Sequence, residues 1–354
     1  MKLISIDPQT DPIWQQLIRQ YRSDVFHSPE WLGVLARTYC FEPRALVVLD
    51  EAGQPRSGMA YCQIEDINAP RIVSLPFSDF CDPLVANGED WLSLTNQLRA
   101  EQCSITVRCL HNDIPLQHEA QVRPLAGFAL IKRAKWHSLD LQADLETLWQ
   151  GLHGSARRAI NKAQRDGVVV HLAQQKEVLR AFFELHLGVR KYKYHLLAQP
   201  YSFFEHIWDY FMTRQKGALM VAIHQDKIIG GVIFLEWQHK LYYKFNASDP
   251  AYISLRPNDL IVWEGIKYGL AKGYTYLDFG LSDWDQEGLL QYKRKFASEE
   301  KTISFLRYTP NGAQTSQVHP LRNVLSELTA LLTDASVPDQ VTEKAGEVLY
   351  QFFA

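Results

Sequence analysis

The feature that most constrains this chain is an order of patterns that occurs twice. Apolar runs at 45–49, 58–64 and 71–77 are followed by a loop, a helical stretch near 90–101 and a further run at 104–110. A turn at Glu51-Ala52-Gly53 joins the first two runs. The same order returns at 218–223, 228–237, 241–247, near 258–272 and 274–280, with Gln225-Asp226-Lys227 as the turn. The offset is about 175 residues, and the duplication is one of pattern, not of sequence identity. Short β-branched and aromatic runs bounded by turn residues read as strands, and the longer stretches read as helices. Strand, hairpin, strand, strand, loop, helix, strand, met twice, predicts an α/β fold of two similar domains with mixed sheets and flanking helices. At 354 residues there is room for two such cores. The expected division is 1–140, 141–310 and a helical appendage over 311–354. In that appendage Leu321, Val324, Leu325, Leu328, Leu331 and Leu332 have helical spacing, and a second helix starts near Pro338. Two helices packed on the second domain are the simplest reading of it.

Charge and composition exclude several classes. Lys+Arg is 37 against 40 Asp+Glu, a net charge of −3, so the chain is not a general basic coat for nucleic acid. A local basic patch remains compatible with that balance. Apolar runs stay short of the ~18–20 residues that a spanning helix needs. The start, MKLISIDPQTDP, meets Asp7, Pro8 and Pro12 before a signal core forms, so a cytoplasmic protein is expected. Cys40, Cys62, Cys81, Cys103 and Cys109 are odd in number and form no CxxC pair. They read as reduced, small buried side chains. The 12 histidines are scattered without HExxH spacing, so no metal is expected.

Three segments carry candidate chemistry. In GSARRAINKAQRDGVVV, Ser155 is a candidate helix cap and Gly167 a stop. Arg158, Lys162 and Arg165 fall on one helix face, suited to a phosphate-bearing ligand, or to a plain solvated face. The segment VRKYKYHLLAQPYSFFEHIWDYF interleaves Arg190, Lys191 and Lys193 with Tyr192, Tyr194 and His195 before an aromatic helix. A polar, aromatic loop of this kind suits ligand contact, with Arg190 and Tyr192 as candidates. The third, LRPNDLIVWEGIKYGLAKGYTYLDFGLSDWDQEGLLQYKRKFA, starts a helix at the Pro257-Asn258 pair after Arg256 and ends a strand at Asp278 and Gly280. Trp284 follows in a loop, then the basic cluster Lys293, Arg294 and Lys295. Acids and cations gather there at a strand end, where α/β sheets bind ligands.

The order of these segments resembles the Fem-type branch of the GNAT superfamily, which includes the CelD-type acyltransferase-like domains. SARRAINKAQRDGV resembles the family's basic helix, and RKYKYHLLAQPYSFF the segment after it. FNASDPAY, the RPND helix start, GYTYLDFG and the closing EGLLQYKRKFA continue the order, while VSLPFSDFCDPL resembles a loop of the first half. The likeness covers roughly residues 25–308.

The resemblance implies tandem GNAT-like domains with a substrate cleft mostly on the second. It implies an N-acyltransferase or aminoacyltransferase that moves an activated group onto a primary amine of a small or cell-wall-precursor-like acceptor. The donor is the co-substrate, either aminoacyl-tRNA or acyl-CoA, and no metal is implied. Lys293 occupies the motif lysine position, where it would oppose a phosphate or the oxyanion, or else be a surface lysine. Asp278 would orient or deprotonate the amine, or else cap the following loop. Tyr243 and Asn246 would line the cleft or pack in the core. The glycine loop that holds the CoA pyrophosphate in GNAT enzymes is replaced by SLRPNDLIV. Pro257 removes one N–H there and Asp259 repels an anion. That favours aminoacyl-tRNA slightly, with charged tRNA as a partner. The competing reading is an inactive GNAT-like module that binds a phosphorylated or amine-bearing ligand.

Overall fold

The computed structural model describes residues 2–67, 69–121, 127–310 and 320–354. The chain forms two compact units, residues 1–134 with 301–323, and residues 135–300 with 324–353. In the first unit the elements are β1 (Lys2–Ile6), α1 (Pro12–Gln20), α2 (Pro29–Tyr39), β2 (Pro43–Leu49), β3 (Pro55–Ile64), β4 (Arg71–Val73), α3 (Gly88–Arg99), β5 (Ser104–Cys109) and α4 (Ile114–Gln121). The strands β6 (Ala129–Asp140) and β12 (Glu299–Tyr308) carry the chain from one unit to the other. The second unit adds α5 (Leu145–Gly151), α6 (Gly154–Arg165), β7 (Val169–Leu172), α7 (Val178–Gly188), α8 (Tyr201–Tyr210), β8 (Gly217–His224), β9 (Lys227–Trp237), β10 (Lys240–Ser248), α9 (Pro257–Ala271), β11 (Tyr276–Asp283) and α10 (Glu287–Arg294). The helices α11 (Pro320–Leu332) and α12 (Asp339–Leu349) close the chain.

The duplicated pattern is a duplicated topology. In the first unit β1, β2, β3 and β4 pair antiparallel in turn, and β4 then pairs parallel with β5. In the second unit β7, β8, β9 and β10 pair antiparallel in turn, and β10 pairs parallel with β11. Parallel neighbours need a crossover, and each unit supplies one helix for it, α3 and α9. Asn87 caps α3 by accepting from Asp90 N, and Trp91, Leu94 and Leu98 of that helix pack on Leu46, Met59, Ile72 and Ile105. In the second unit Ala156, Ile160 and Ala163 of α6 join Leu260, Ile261 and Ile266 of α9 and Val232, Phe234, Leu241 and Leu277 of the sheet. Small alanines let α6 lie close to its neighbours. Gly265 has the same effect for α9, since a Cβ there would sit 2.5 Å from Phe234 Cζ.

Some boundaries differ from the sequence reading. β4 stops at Val73, not at 77, because Pro76 has no N–H to donate and Phe77 turns the chain at φ +56°. The loop returns to β5, where Cys81 N donates to Arg108 O at 3.1 Å. Asp82 then anchors it, Oδ1 accepting from the N–H groups of Leu110, His111 and Asn112 at 2.8, 3.0 and 3.1 Å. His153, not Ser155, caps α6, because its ring accepts from Ser155 N. β11 runs through Gly280 to Asp283, so Asp278 lies inside the strand and not at its end.

Cys62, Cys81, Cys103 and Cys109 are buried free thiols, whereas Cys40 is exposed at the left-handed end of α2. The α12 helix is held in the second unit, where Glu343 takes both guanidinium nitrogens of Arg180 at 2.7 and 2.8 Å. Residues 311–319 and the Leu321 side chain, parts of the expected appendage, lie outside the described residues. Among the described residues no helix is long and apolar enough to cross a membrane.

Candidate active site in the second unit

The described pairing of β10 with β11 stops after three positions. Lys240, Leu241 and Tyr242 face Tyr276, Leu277 and Asp278, yet β10 continues to Ser248 and β11 to Asp283. Two irregularities accompany the separation. On β10 the register against β9 steps between Tyr243 and Phe245, leaving Lys244 as an extra residue, and such a bulge bends its strand. On β11 Gly280 has φ +66°, a conformation glycine adopts without strain. Past Tyr242 and Asp278 the two strands no longer form a ladder. Leu241, Tyr242, Ala247 and Ser248 are buried, while Tyr243, Lys244, Phe245 and Asn246 between them are half-buried.

Asp278 and Lys293 meet on one residue, Gly280, each on one of its two flanking peptide groups. Asp278 Oδ1 accepts from Gly280 N at 2.6 Å, and its Oδ2 accepts from Trp136 Nε1 on β6 at 2.8 Å. Lys293, on α10, donates from Nζ to Gly280 O at 3.0 Å and Leu281 O at 2.8 Å. Both side chains are buried. The Gly280 and Leu281 carbonyls are thereby met by a buried ammonium, a charge-assisted bond stronger than a neutral one. The same ammonium, after burial itself, holds the nearby His137 ring below the usual imidazole range.

A second group of polar residues gathers beside β10. Asn246 Nδ2 donates to the Tyr243 hydroxyl. Asp259, third residue of α9, is 5 % exposed, and Lys295 Nζ stands 3.5 Å from its Oδ1. Burial raises the Asp259 carboxyl, while Lys295 and Arg256 pull it back. Burial also raises the Tyr243 and Tyr292 phenols, and Asp259 adds to both. Rings link these elements: Tyr243 to Phe279 at 5.8 Å, Phe279 to Phe296 at 6.2 Å and Phe296 to Tyr292 at 5.6 Å between centroids.

The expected site residues therefore fall into separate places. Asp278, Lys293, Tyr243 and Asn246 belong to the β10–β11 region. Arg256 lies at the start of α9, exposed and in the left-handed conformation, as an electrostatic neighbour of Asp259. Trp284 is exposed after β11, with Lys135 Nζ 4.3 Å from its ring centre. On α6, Lys162 pairs with Asp166, Arg165 Nε lies 3.5 Å from the same carboxylate, and Arg158 is exposed. Arg190 and Tyr192 lie not in a loop but in a π-helical turn, Val189–Lys193, that continues α7, and Arg190 Nε donates to Leu197 O at 3.0 Å. The Tyr192 hydroxyl donates to Asp339 on α12 at 2.7 Å, beside the buried Lys191 ammonium at 2.8 Å. Neither Trp136 nor Tyr292 is among the site residues expected from the sequence. Tyr292 adjoins the motif lysine, which is a signal, whereas Trp136 lies 142 residues from Asp278 and carries none.

Residues 152–294 match the family model of the acetyltransferase (GNAT) domain. The structure titled FemX is similar with a TM-score of 0.66 and 15% identity, over 86% of this chain and 97% of that one. A tandem GNAT protein from the clavulanic acid biosynthesis pathway is similar with a TM-score of 0.56 and 12% identity, over 86% and 97%. L-PGS from Bacillus licheniformis is similar with a TM-score of 0.53 and 13% identity, over 93% and 98%. No curated protein sequence matches this chain. At these identities the structures establish a shared fold.

Proposed function

We propose that this chain, a GNAT-type acyltransferase with a Fem-like fold, transfers an aminoacyl group from aminoacyl-tRNA to a primary amine in the second unit. The acceptor is a small or cell-wall-precursor-like amine, and the chain works in the cytoplasm. In the step, the amine nitrogen bonds to the donor carbonyl carbon, the ester C–O bond breaks, and the amine's proton ends on the departing ribose oxygen. The observation that carries the reading is the end of the β10–β11 ladder beyond Tyr242 and Asp278, braced by Lys293 on Gly280 and Leu281. The stretch of β10 past Tyr242, where its ladder with β11 has ended, is the candidate source of backbone donors for a developing oxyanion, because fixed donors at that point cost no reorganisation during reaction. Asp278 and Lys293 act by holding the β11 wall in place and by lending their charges to it. Arg158, Lys162 and Arg165 would meet donor phosphates, with Trp284 as a stacking face for a base and Arg190 and Tyr192 shaping the adjoining loop.

The choice of donor rests on the first turn of α9. A CoA pyrophosphate needs open N–H groups there. Pro257 supplies none, and the Asp259 carboxylate lies buried two residues on. Acyl-CoA is the alternative donor of the same reaction. Incubating the purified chain with charged tRNAs or with acyl-CoAs and a panel of primary amines, and weighing the amine products by mass spectrometry, separates the two. Amides formed with charged tRNA alone support the reading; amides formed with acyl-CoA alone replace the donor.

A further inference from the structure

Two buried polar atoms beside β10 make no hydrogen bond among the described residues, Asp259 Oδ1 and the Tyr292 hydroxyl. They come from different helices, α9 and α10, and the Tyr292 hydroxyl has the Asp259 carboxylate and the Tyr243 hydroxyl as its electrostatic neighbours. Among the described residues Asp259 Oδ1 meets the Lys295 ammonium at 3.5 Å and the Tyr292 hydroxyl makes no hydrogen bond; a buried polar atom left unbonded costs about 1–3 kcal/mol, so a ligand group gains by bonding there. The chemistry of the pair selects that group. An ionised carboxylate only accepts, and a phenol oxygen also accepts. The Tyr292 ring already has an ammonium near its face, Lys295 Nζ 5.1 Å from its centre, an arrangement that favours a cation.

The nearest cation is instructive. Lys295 Nζ is 3.5 Å from Asp259 Oδ1 and 5.1 Å from the Tyr292 ring centre. Its side chain is 27 % exposed, so it can swing into solvent. A primary ammonium of the chain itself thus stands just short of the place a substrate ammonium would take. We propose that Asp259 and Tyr292 form a seat for a primary ammonium group of the substrate, with Lys295 as the internal group it displaces. This rests on the transferase reading and deepens it by naming the group recognised. The ammonium has two possible sources, the acceptor's amine or the α-ammonium of an aminoacyl donor.

Titrations of the full chain followed by ligand-observed NMR test the seat. n-Butylammonium stands for an acceptor and is paired with neutral 1-butanol; alaninamide stands for a donor and is paired with neutral lactamide. At least one ammonium probe should bind about tenfold tighter than its neutral partner, the size of a charged hydrogen bond. The tighter ammonium probe identifies the source. Asp259→Asn should abolish the preference, Tyr292→Phe should reduce it, and Lys295→Met, which removes the competitor, should tighten ammonium binding. The proposal is overturned if neither ammonium probe binds better than its neutral partner, or if Lys295→Met fails to tighten ammonium binding. Should Asp259→Asn fail to fold, Lys295→Met and Tyr292→Phe still decide. Amide formation by a chain with no ammonium preference would remove the seat and leave the transferase reading; preference without any amide formation would do the reverse.

Discussion

At the scale of single residues, Lys293 and Asp278 act on one glycine, Gly280. Because each bonds to Gly280, their effects should not add. Lys293→Ala removes the ammonium from the Gly280 and Leu281 carbonyls and is expected to lower turnover by roughly 30- to 1000-fold, the equivalent of ~2–4 kcal/mol in the transition state. Asp278→Asn keeps the shape but places an amide N–H₂ or a carbonyl where a carboxylate met Trp136 Nε1 and Gly280 N, so turnover should fall as well. In a double-mutant cycle on turnover, the combined loss should be clearly smaller than the product of the single losses; multiplicative losses would mean that the two residues work apart. Asp82 supports a different expectation. Burial, with Asp24 adding, pushes its carboxyl up from 3.8 to about 7, against three backbone N–H bonds. A raised acid favours folding below the unfolded value and loses that contribution as pH climbs from about 3.8 through about 7. Urea midpoints should therefore fall over that window, and Asp82→Asn should flatten the part that Asp82 contributes. An unchanged pH profile in the variant would assign the dependence to other groups.

At the scale of elements, the sequence reading located strands and helices well where turn chemistry was local. Gly167 does end α6 at φ +81°, and Gly273 follows α9 at φ +73°. It was less accurate where an element's end is set by something distant. β11 does not stop at Asp278, because Lys293 and Asp278 hold its kinked continuation. His153 caps α6 while its own N–H donates to Lys295 O at 2.9 Å, a link across the unit that no spacing reveals. The α9–β9 packing makes a sharp prediction. Gly265→Ala sets a methyl against the Phe234 ring and should destabilise the chain by about 1–3 kcal/mol, read from the denaturant midpoint. No loss would mean the helix can slide outward. For α6, reversing Lys162 to Glu should weaken binding of the charged-tRNA donor by more than tenfold, with the melting temperature nearly unchanged, since its only described acid partner is an exposed-face i,i+4 pair with Asp166. Equal donor binding would make that face a solvated one.

At the scale of the whole molecule, the tandem architecture was legible because the two hydrophobic patterns repeat in order and each must close a parallel pair with a helix. The site was legible only in part. Lys293, Asp278, Tyr243 and Asn246 could be named from motif order, but not how they connect. Trp136 and Asp278 lie 142 residues apart, and nothing local marks the partnership. Asp259 was visible as an acid at a helix start that opposes an anion. Its pairing with Lys295 and its place beside Tyr292 depend on how α9, α10 and β10 fold together. The central claim is that the second unit makes an amide where the β10–β11 ladder ends. The most direct measurement is the single-turnover rate of amide formation from charged tRNA and a primary amine, followed by product mass, for the native chain and for Lys293→Ala with its fold verified by thermal melting. The account predicts an amine heavier by one aminoacyl residue from the native chain and a rate lower by roughly 30-fold or more in the variant. Amide formation at equal rates by both proteins, or none by the native chain with charged tRNA or acyl-CoA, would contradict it.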